Sequence, residues 1–341
     1  MKNVLLLGGG GTLGIHTASE LLRLGYKIDN ICLEPYVSDH PNLTYYNARI
    51  DDAYLAEFLR GRHYDAIVDF LCYGDAATWC GTRSDRLLDA TDQLVFLSSY
   101  RVYANRETPI RESSPQWLDV STDPWLLKTE RYALPKSRCE RYLRESGRKN
   151  WTIVRPIISF SHFRLDLVTV PSGVLFSRIQ NHKKILLPEA ARNLTAGVNW
   201  AGNIGKMIAH LVCNPNAIGE DFTLGSGENR TWGEVAEMYT ALFGAEFVWV
   251  DSADYIHTTS DDTLGDYWIT FLDRLLDRRT DVSKVFAATG LTEADMVKIP
   301  DALQMEMADI LAHPEWKDRL LRLSSPAING KIDAYLAAHN L

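Results

Sequence analysis

Three groups of residues in this 341-residue sequence have the types and spacing for chemistry. One is Tyr132-Ala-Leu-Pro-Lys136, which occurs once in the chain. At i and i+4 of a helix the two side chains share a face. An ammonium beside a phenol favours the phenolate, so Tyr132 becomes a general acid or base for use near neutral pH. Another is Ser98-Ser99, directly after the apolar run Leu94–Leu97. A hydroxyl at the tip of a buried strand can donate to a developing alkoxide or ketone oxygen. Ser99 is the choice for that hydroxyl, with Ser98 facing a cofactor. The last is Gly8-Gly9-Gly10-Gly11-Thr12-Leu13-Gly14, read as G-x-x-G-x-x-G through Gly8, Gly11 and Gly14. Residues without a Cβ allow a tight strand-to-helix turn and close approach of a pyrophosphate, and the helix N-terminus supplies N–H groups. This points to a dinucleotide. Each set also has a bland reading: an amphipathic helix pair, serines that start a turn, a glycine-rich turn.

The elements that must position these groups follow from periodicity. Val4–Leu7 is a short all-apolar run, as in a strand buried on both faces. A helix follows, with Ile15, Ala18, Leu21 and Leu22 on one face and Gly25 at its end. Further strands are expected at Ile31–Leu33, Ala66–Leu71, Leu94–Leu97 and Trp151–Val154, the last closed by Arg155-Pro156. Tyr54–Leu59 reads as helical, and one long helix is expected over Lys128–Glu145. This alternation implies an α/β fold, a doubly wound parallel (Rossmann) sheet. Beyond Pro156 the pattern loosens around Pro171, Pro188 and Pro215. Thr231–Phe243 reads as a helix with Thr231 and Glu234 in a capping box, Phe247–Val250 as a strand and Asp301–Leu311 as a helix. The division expected is a cofactor domain over 1–156 and a smaller mixed α/β substrate lobe over 157–341, with some segments returning to the main sheet.

Glu34 stands 20 residues beyond Gly14, where a carboxylate would bind the adenosine ribose hydroxyls and favour NAD over NADP. An ungapped reading puts Cys32 at that point instead.

Composition narrows the classes. Lys plus Arg number 36 against 44 Asp plus Glu, a net charge of −8, which opposes binding to nucleic acid or anionic membranes. No apolar run suits a transmembrane helix or a signal segment. The five scattered cysteines read as buried thiols in a reducing compartment, so a cytoplasmic protein is expected. The nine histidines show no ligand spacing and no metal is expected. Nine Trp and 15 Tyr read as packing first, and as stacking against sugar or base rings second.

The set Gly8/Gly11/Gly14, Ser98-Ser99-Tyr100-Arg101-Val102-Tyr103, Tyr132-x-x-x-Lys136 and Arg155-Pro156 resembles the extended short-chain dehydrogenase/reductase family. Within it the chain is similar to NAD-dependent nucleotide-sugar epimerases and dehydratases. Gly219–Gly225, Thr231–Gly244 and Asp281–Gly290 also look like that family's second lobe. The resemblance implies bound NAD held by Gly8, Gly11, Thr12, Leu13, Gly14, Glu34, Leu71, Ser98, Tyr132, Lys136 and Pro156. It implies that Tyr132 removes the proton of a sugar hydroxyl, Ser99 holds the oxygen and Lys136 orients the nicotinamide ribose. Tyr100 and Arg101 stand where dehydrating relatives carry Asp-Glu, which disfavours simple dehydration. The third-strand Asp that reads adenine is replaced by Ala48-Arg49-Ile50, with Asp51 and Asp52 following. The usual Gly-Pro loop is replaced by Ser159-Phe160-Ser161-His162-Phe163, and Asn199–Asn203 lacks the usual acidic pair.

By family position, His162 and Trp200 are expected to line the substrate cleft. Arg192, Arg230 and His182-Lys183-Lys184 are candidates for a nucleotide diphosphate, although a solvated charge run is the plainer reading of the last three. Asp261-Asp262 and Arg278-Arg279 read as surface charge. The function expected is a nucleotide-sugar epimerase; the alternatives are a reductase, dehydrogenase or dehydratase of a sugar or small carbonyl compound, and a non-catalytic or RNA-binding relative. A homodimer is implied, pairing helices at Ala77–Leu88 and Leu127–Leu143.

Overall fold

The computed structural model describes residues 1–162, 164–260 and 264–341, with residues 264–266 described for their backbone alone. Phe163 and Asp261-Asp262, read above, lie outside the described residues. The strands are β1 (Asn3–Leu7), β2 (Lys27–Cys32), β3 (Leu43–Asn47), β4 (Ala66–Asp69), β5 (Leu94–Leu97), β6 (Trp151–Pro156), β7 (Ile158–Phe160), β8 (Ile185–Pro188), β9 (Val198–Trp200), β10 (Glu220–Leu224) and β11 (Phe247–Val250). Seven of them form one parallel sheet in the order β3-β2-β1-β4-β5-β6-β10.

Residues of β1 alternate between two apolar layers. Val4 and Leu6 pack with Ala18, Leu21, Ile204 and Ile208 on one face. Leu5 and Leu7 pack with Leu87, Cys139 and Leu143 on the other. Helices Thr12–Arg23 and Ala201–Leu211 cover the first face, and Thr82–Asp89 and Ala133–Glu145 the second. A strand covered on both sides needs no polar face, which is why its sequence is a continuous apolar run. Strand order reverses between β1 and β4, and ligands of doubly wound sheets bind at such a switch point.

The expected long helix over Lys128–Glu145 is two helices, Pro124–Thr129 and Ala133–Glu145. Pro135 is the third residue of the second. It has no N–H to give, and its ring would clash with the carbonyl of residue 131 in a continuous helix. Tyr132 therefore precedes the helix, with φ −129° and ψ −63°, rather than riding on it. The strand expected at Ile31–Leu33 starts earlier, at Lys27.

Past Pro156, β10 returns to the main sheet beside β6, with Phe222 paired to Val154. The pairs β7–β9 and β8–β11 form two small parallel sheets. The capping box at Thr231 and Glu234 is formed. Asp51 caps helix Asp52–Phe58 through the Tyr54 amide, and Asp52 pairs with Arg83, so both acids serve local structure. One apolar cluster runs from Val4 to Leu336. No helix among the described residues is long and apolar enough to cross a membrane.

Candidate active site

β1 delivers the chain into the glycine loop. Gly8 sits at φ +76°, and a Cβ there would meet the Leu71 side chain at 2.9 Å. A Cβ on Gly14 would lie 2.4 Å from the Gly9 backbone, so the first helix starts hard against the loop. That helix, Thr12–Arg23, has no side-chain cap and no acid in its first turn. Its free N–H groups and positive dipole end are thus left for an anion. This is a cradle of the right kind for a dinucleotide pyrophosphate.

The loop borders a cleft of about 350 Å3. Gly8, Gly11, Thr12, Leu13, Gly14, Ser98, Ser99, Tyr100, Arg101, Tyr132, Lys136 and Pro156 all line it. Leu71 lies just behind, its carbonyl accepting a hydrogen bond from Lys136 Nζ at 3.1 Å. Glu34 lines an adjoining groove with Gly10, Gly11 and Arg319. The two spaces share Gly11, Thr12 and Arg164.

Ser99 ends β5 and opens a short 3-10 turn, its Oγ accepting the Arg101 amide at 3.3 Å. Its own hydrogen is not committed by that bond. Lys136 is 2% exposed and its ammonium donates to the Leu97 and Leu71 carbonyls at 2.5 and 3.1 Å, bridging the ends of β5 and β4. Tyr132 is held from its backbone. Glu130, itself buried, accepts the amides of Tyr132 and Leu134, each at 2.9 Å, on one carboxylate oxygen. The Arg101 guanidinium lies over the Tyr132 ring at 4.6 Å and 3.7 Å from the other Glu130 oxygen.

Asp69 ends β4, just ahead of the cleft residues Phe70 and Cys72. It is fully buried and accepts from Tyr73, the Trp79 indole and the Leu71 amide. Burial pushes its carboxyl up despite these donors and the nearby Lys136 charge.

The far wall comes from distant sequence: Arg164, Ile269, Asp273 and Arg274. Asp273 is paired with Arg274 and Arg278. Burial raises its carboxyl, but the two guanidiniums outweigh burial and hold it below the usual range. Arg278, expected on the surface, is 1% exposed; its charge is enclosed because Asp273 and the carbonyls of Tyr103 and Leu272 receive it.

Other expected site residues lie elsewhere. His162 and Trp200 turn to Glu306, through the His162 Nδ1 contact at 2.9 Å and the Trp200 indole bond at 2.5 Å. His162 also stacks on Trp316 at 4.0 Å. A buried carboxylate recruits both donors, so neither lines the main cleft. Arg192 lies over Trp249 at 5.2 Å in a separate groove. Arg230 is taken by Glu228 and Glu234, and Lys183 by Asp333. Of the cysteines expected to be buried, Cys72 is exposed, and it lines the cleft.

Glu130, Asp69, Arg164, Asp273 and Arg274 were not singled out by motif. Glu130 carried a signal, an acid just ahead of a helix start. Arg164, Asp273 and Arg274 carried none, since only tertiary folding brings them to the cleft.

No family model and no curated protein matches the chain. Solved structures do match in fold. A dTDP-glucose 4,6-dehydratase from Bacillus anthracis in complex with NAD aligns over 94% of this chain and 100% of its own, at 18% identity and TM-score 0.69. An epimerase from Methanothermobacter thermautotrophicus covers 95% of both chains at 16% identity and TM-score 0.68. A UDP-glucose-4-epimerase from Stenotrophomonas maltophila with bound NAD and formylated UDP-arabinopyranose aligns over 95% of this chain and 100% of its own, at 15% and 0.65. The chain shares the fold of these structures.

Proposed function

We propose that the chain binds NAD across the Gly8–Gly14 loop and epimerises a nucleotide sugar through a transient keto-sugar. One observation carries this reading: the glycine cradle, the uncapped helix end, Ser99, Tyr132 and Lys136 line a single cleft. NAD, when bound, accepts a hydride from the carbinol carbon and gives it back.

The chain's own residues handle the oxygen and its proton. Tyr132 takes the hydroxyl proton as the carbonyl forms and returns it when the carbinol is restored. Ser99 donates its free hydrogen to the same oxygen. Lys136, buried between the Leu97 and Leu71 carbonyls, orients the nicotinamide ribose. Glu34, in the adjoining groove, favours NAD over NADP by repelling a 2′-phosphate. Residues 1–156 form the cofactor part and 157–341 the substrate part of this reading.

Dehydration is disfavoured because Tyr100 and Arg101 bring no carboxylate, and the one that Asp273 brings is engaged by Arg274 and Arg278. A reductase that releases reduced cofactor is the second enzyme reading. The RNA-binding reading is disfavoured by the net charge of −8 and by the convergence of the three polar residues. A homodimer through the helices expected at Ala77–Leu88 and Leu127–Leu143 belongs to the same reading and rests on family resemblance; a cytoplasmic location rests on the five scattered cysteines.

The test is a thermal-shift screen of nucleotide sugars with NAD or NADP present, then turnover of the hits. NAD is expected to stabilise the protein more than NADP. Turnover is expected without net change at the nicotinamide absorbance band, whereas a reductase would consume added NADH. Tyr132→Phe is expected to abolish turnover while NAD stays bound; full activity in that variant would sink the mechanism.

A further inference from the structure

The substrate end of the cleft carries more positive than negative charge, and one residue stands at its centre. Arg101 touches both groups assigned to the reacting oxygen: its amide donates to Ser99 Oγ at 3.3 Å and its guanidinium lies over the Tyr132 ring at 4.6 Å. Its carboxylate neighbour, Glu130, is 3.7 Å away and already caps a helix through two backbone amides. Arg101 Nε is enclosed and has no acceptor among the described residues. The remaining wall cations outnumber their carboxylates. Arg164 pairs with Asp166, and Arg274 and Arg278 share the single carboxylate of Asp273. Four guanidiniums thus meet three carboxylates.

A neutral sugar seated here would strip water from a surplus cation and offer it no counter-charge, which is costly. A planar anion next to the reacting carbon removes that cost, and a carboxylate matches the fork of a guanidinium with two parallel hydrogen bonds. From this geometry we propose that the substrate is a sugar acid, with a carboxylate on a carbon neighbouring the carbinol and Arg101 as the specificity-determining residue that receives it. The proposal rests on the epimerase reading above and narrows its substrate class.

The experiment titrates NAD-loaded protein calorimetrically with pairs that differ in one group, UDP-glucose against UDP-glucuronate and UDP-galactose against UDP-galacturonate. Both members of a pair carry the same nucleotide diphosphate, so their difference reads the carboxylate alone. The acid is expected to bind at least tenfold tighter in one pair. Arg101→Gln is expected to erase the difference, and Arg101→Lys to keep part of it, with NAD affinity unchanged in both. Equal or tighter binding of the neutral sugars, a preference that survives Arg101→Gln, or binding of no member by NAD-loaded protein each overturns the proposal. A protein that takes neutral sugars and exchanges hydride with NAD leaves the epimerase reading standing while this inference falls. Failure to bind NAD at all sinks both.

Discussion

Glu130 shows how much of a reactive tyrosine's placement lies outside its own motif. Its carboxylate fixes the Tyr132 and Leu134 amides, so the phenol is aimed by its neighbour two residues earlier. Glu130→Ala is expected to lower kcat about tenfold or more through misplacement of Tyr132. Loss of the cap should cost about 1 kcal/mol of stability. NAD affinity should stay unchanged and Glu130→Gln should restore part of kcat; a loss of stability with unaltered kcat would show a purely structural role. That Ser99, Tyr132 and Lys136 meet at one cleft was legible in the sequence from their setting, a serine-tipped strand followed by a helix. Asp273 and Arg274 were not, because nothing in Thr270–Arg274 signals that it folds over the end of β5. His162 and Trp200 were misread because a buried carboxylate 144 residues from His162 could not be seen to claim them.

Helix Ala133–Glu145 is tied to the sheet by charge as well as by packing. Glu140, fully buried, accepts both Nε and Nη2 of Arg155 at 2.9 and 2.6 Å, and Gln116 adds a third donor at 2.7 Å. Burial raises the Glu140 carboxyl, yet Arg155 outweighs it and the group sits below its ordinary value of 4.5. A carboxyl lowered in the folded state stabilises above its unfolded value and loses that stabilisation as pH falls through the folded one. Chemical denaturation across pH is therefore expected to show stability falling below about pH 4.5, and Glu140→Gln should flatten that slope. Arg155→Met alone should cost up to roughly 3 kcal/mol, since it leaves the buried carboxylate only Arg144 and Gln116. The double variant with Glu140→Leu should recover much of it, and additive losses would argue against the pairing. The central strands β1, β4 and β5, buried on both faces, were legible as short apolar runs. β3, Leu-Thr-Tyr-Tyr-Asn at the sheet edge, mixes polar and aromatic residues, and β7 and β9 are three residues each, too short for periodicity to register.

Across the whole molecule, Glu306 ties distant parts together: His16 of the first helix at 3.8 Å, His162, and Trp200 at the end of β9. Burial lowers His16 despite Glu306, and contacts with His162 and Trp200 hold Glu306 low against burial. A histidine lowered in the fold takes up protons on unfolding, so its share of stability fades as pH falls below 6.5. Melting temperature is expected to drop between about pH 6.5 and 5, and to drop less in His16→Gln; an equal drop in both would remove His16 from the account. The sequence suggested two stretches divided near Pro156, but the apolar cluster that joins them from Val4 to Leu336 was not legible, since late helices carry no mark of the strand they will cover. The groove beside Glu34 has the same character. One of its walls is Arg319 and Leu323, and the Leu323 backbone sits where a Cβ on Gly173 would fall, 2.4 Å away. β10 completes the main sheet long before residue 319 leaves the ribosome. During synthesis the sheet can thus form while its nucleotide groove still lacks a side. Firm retention of a dinucleotide would then wait on Arg319 and Leu323, which close that side of the groove.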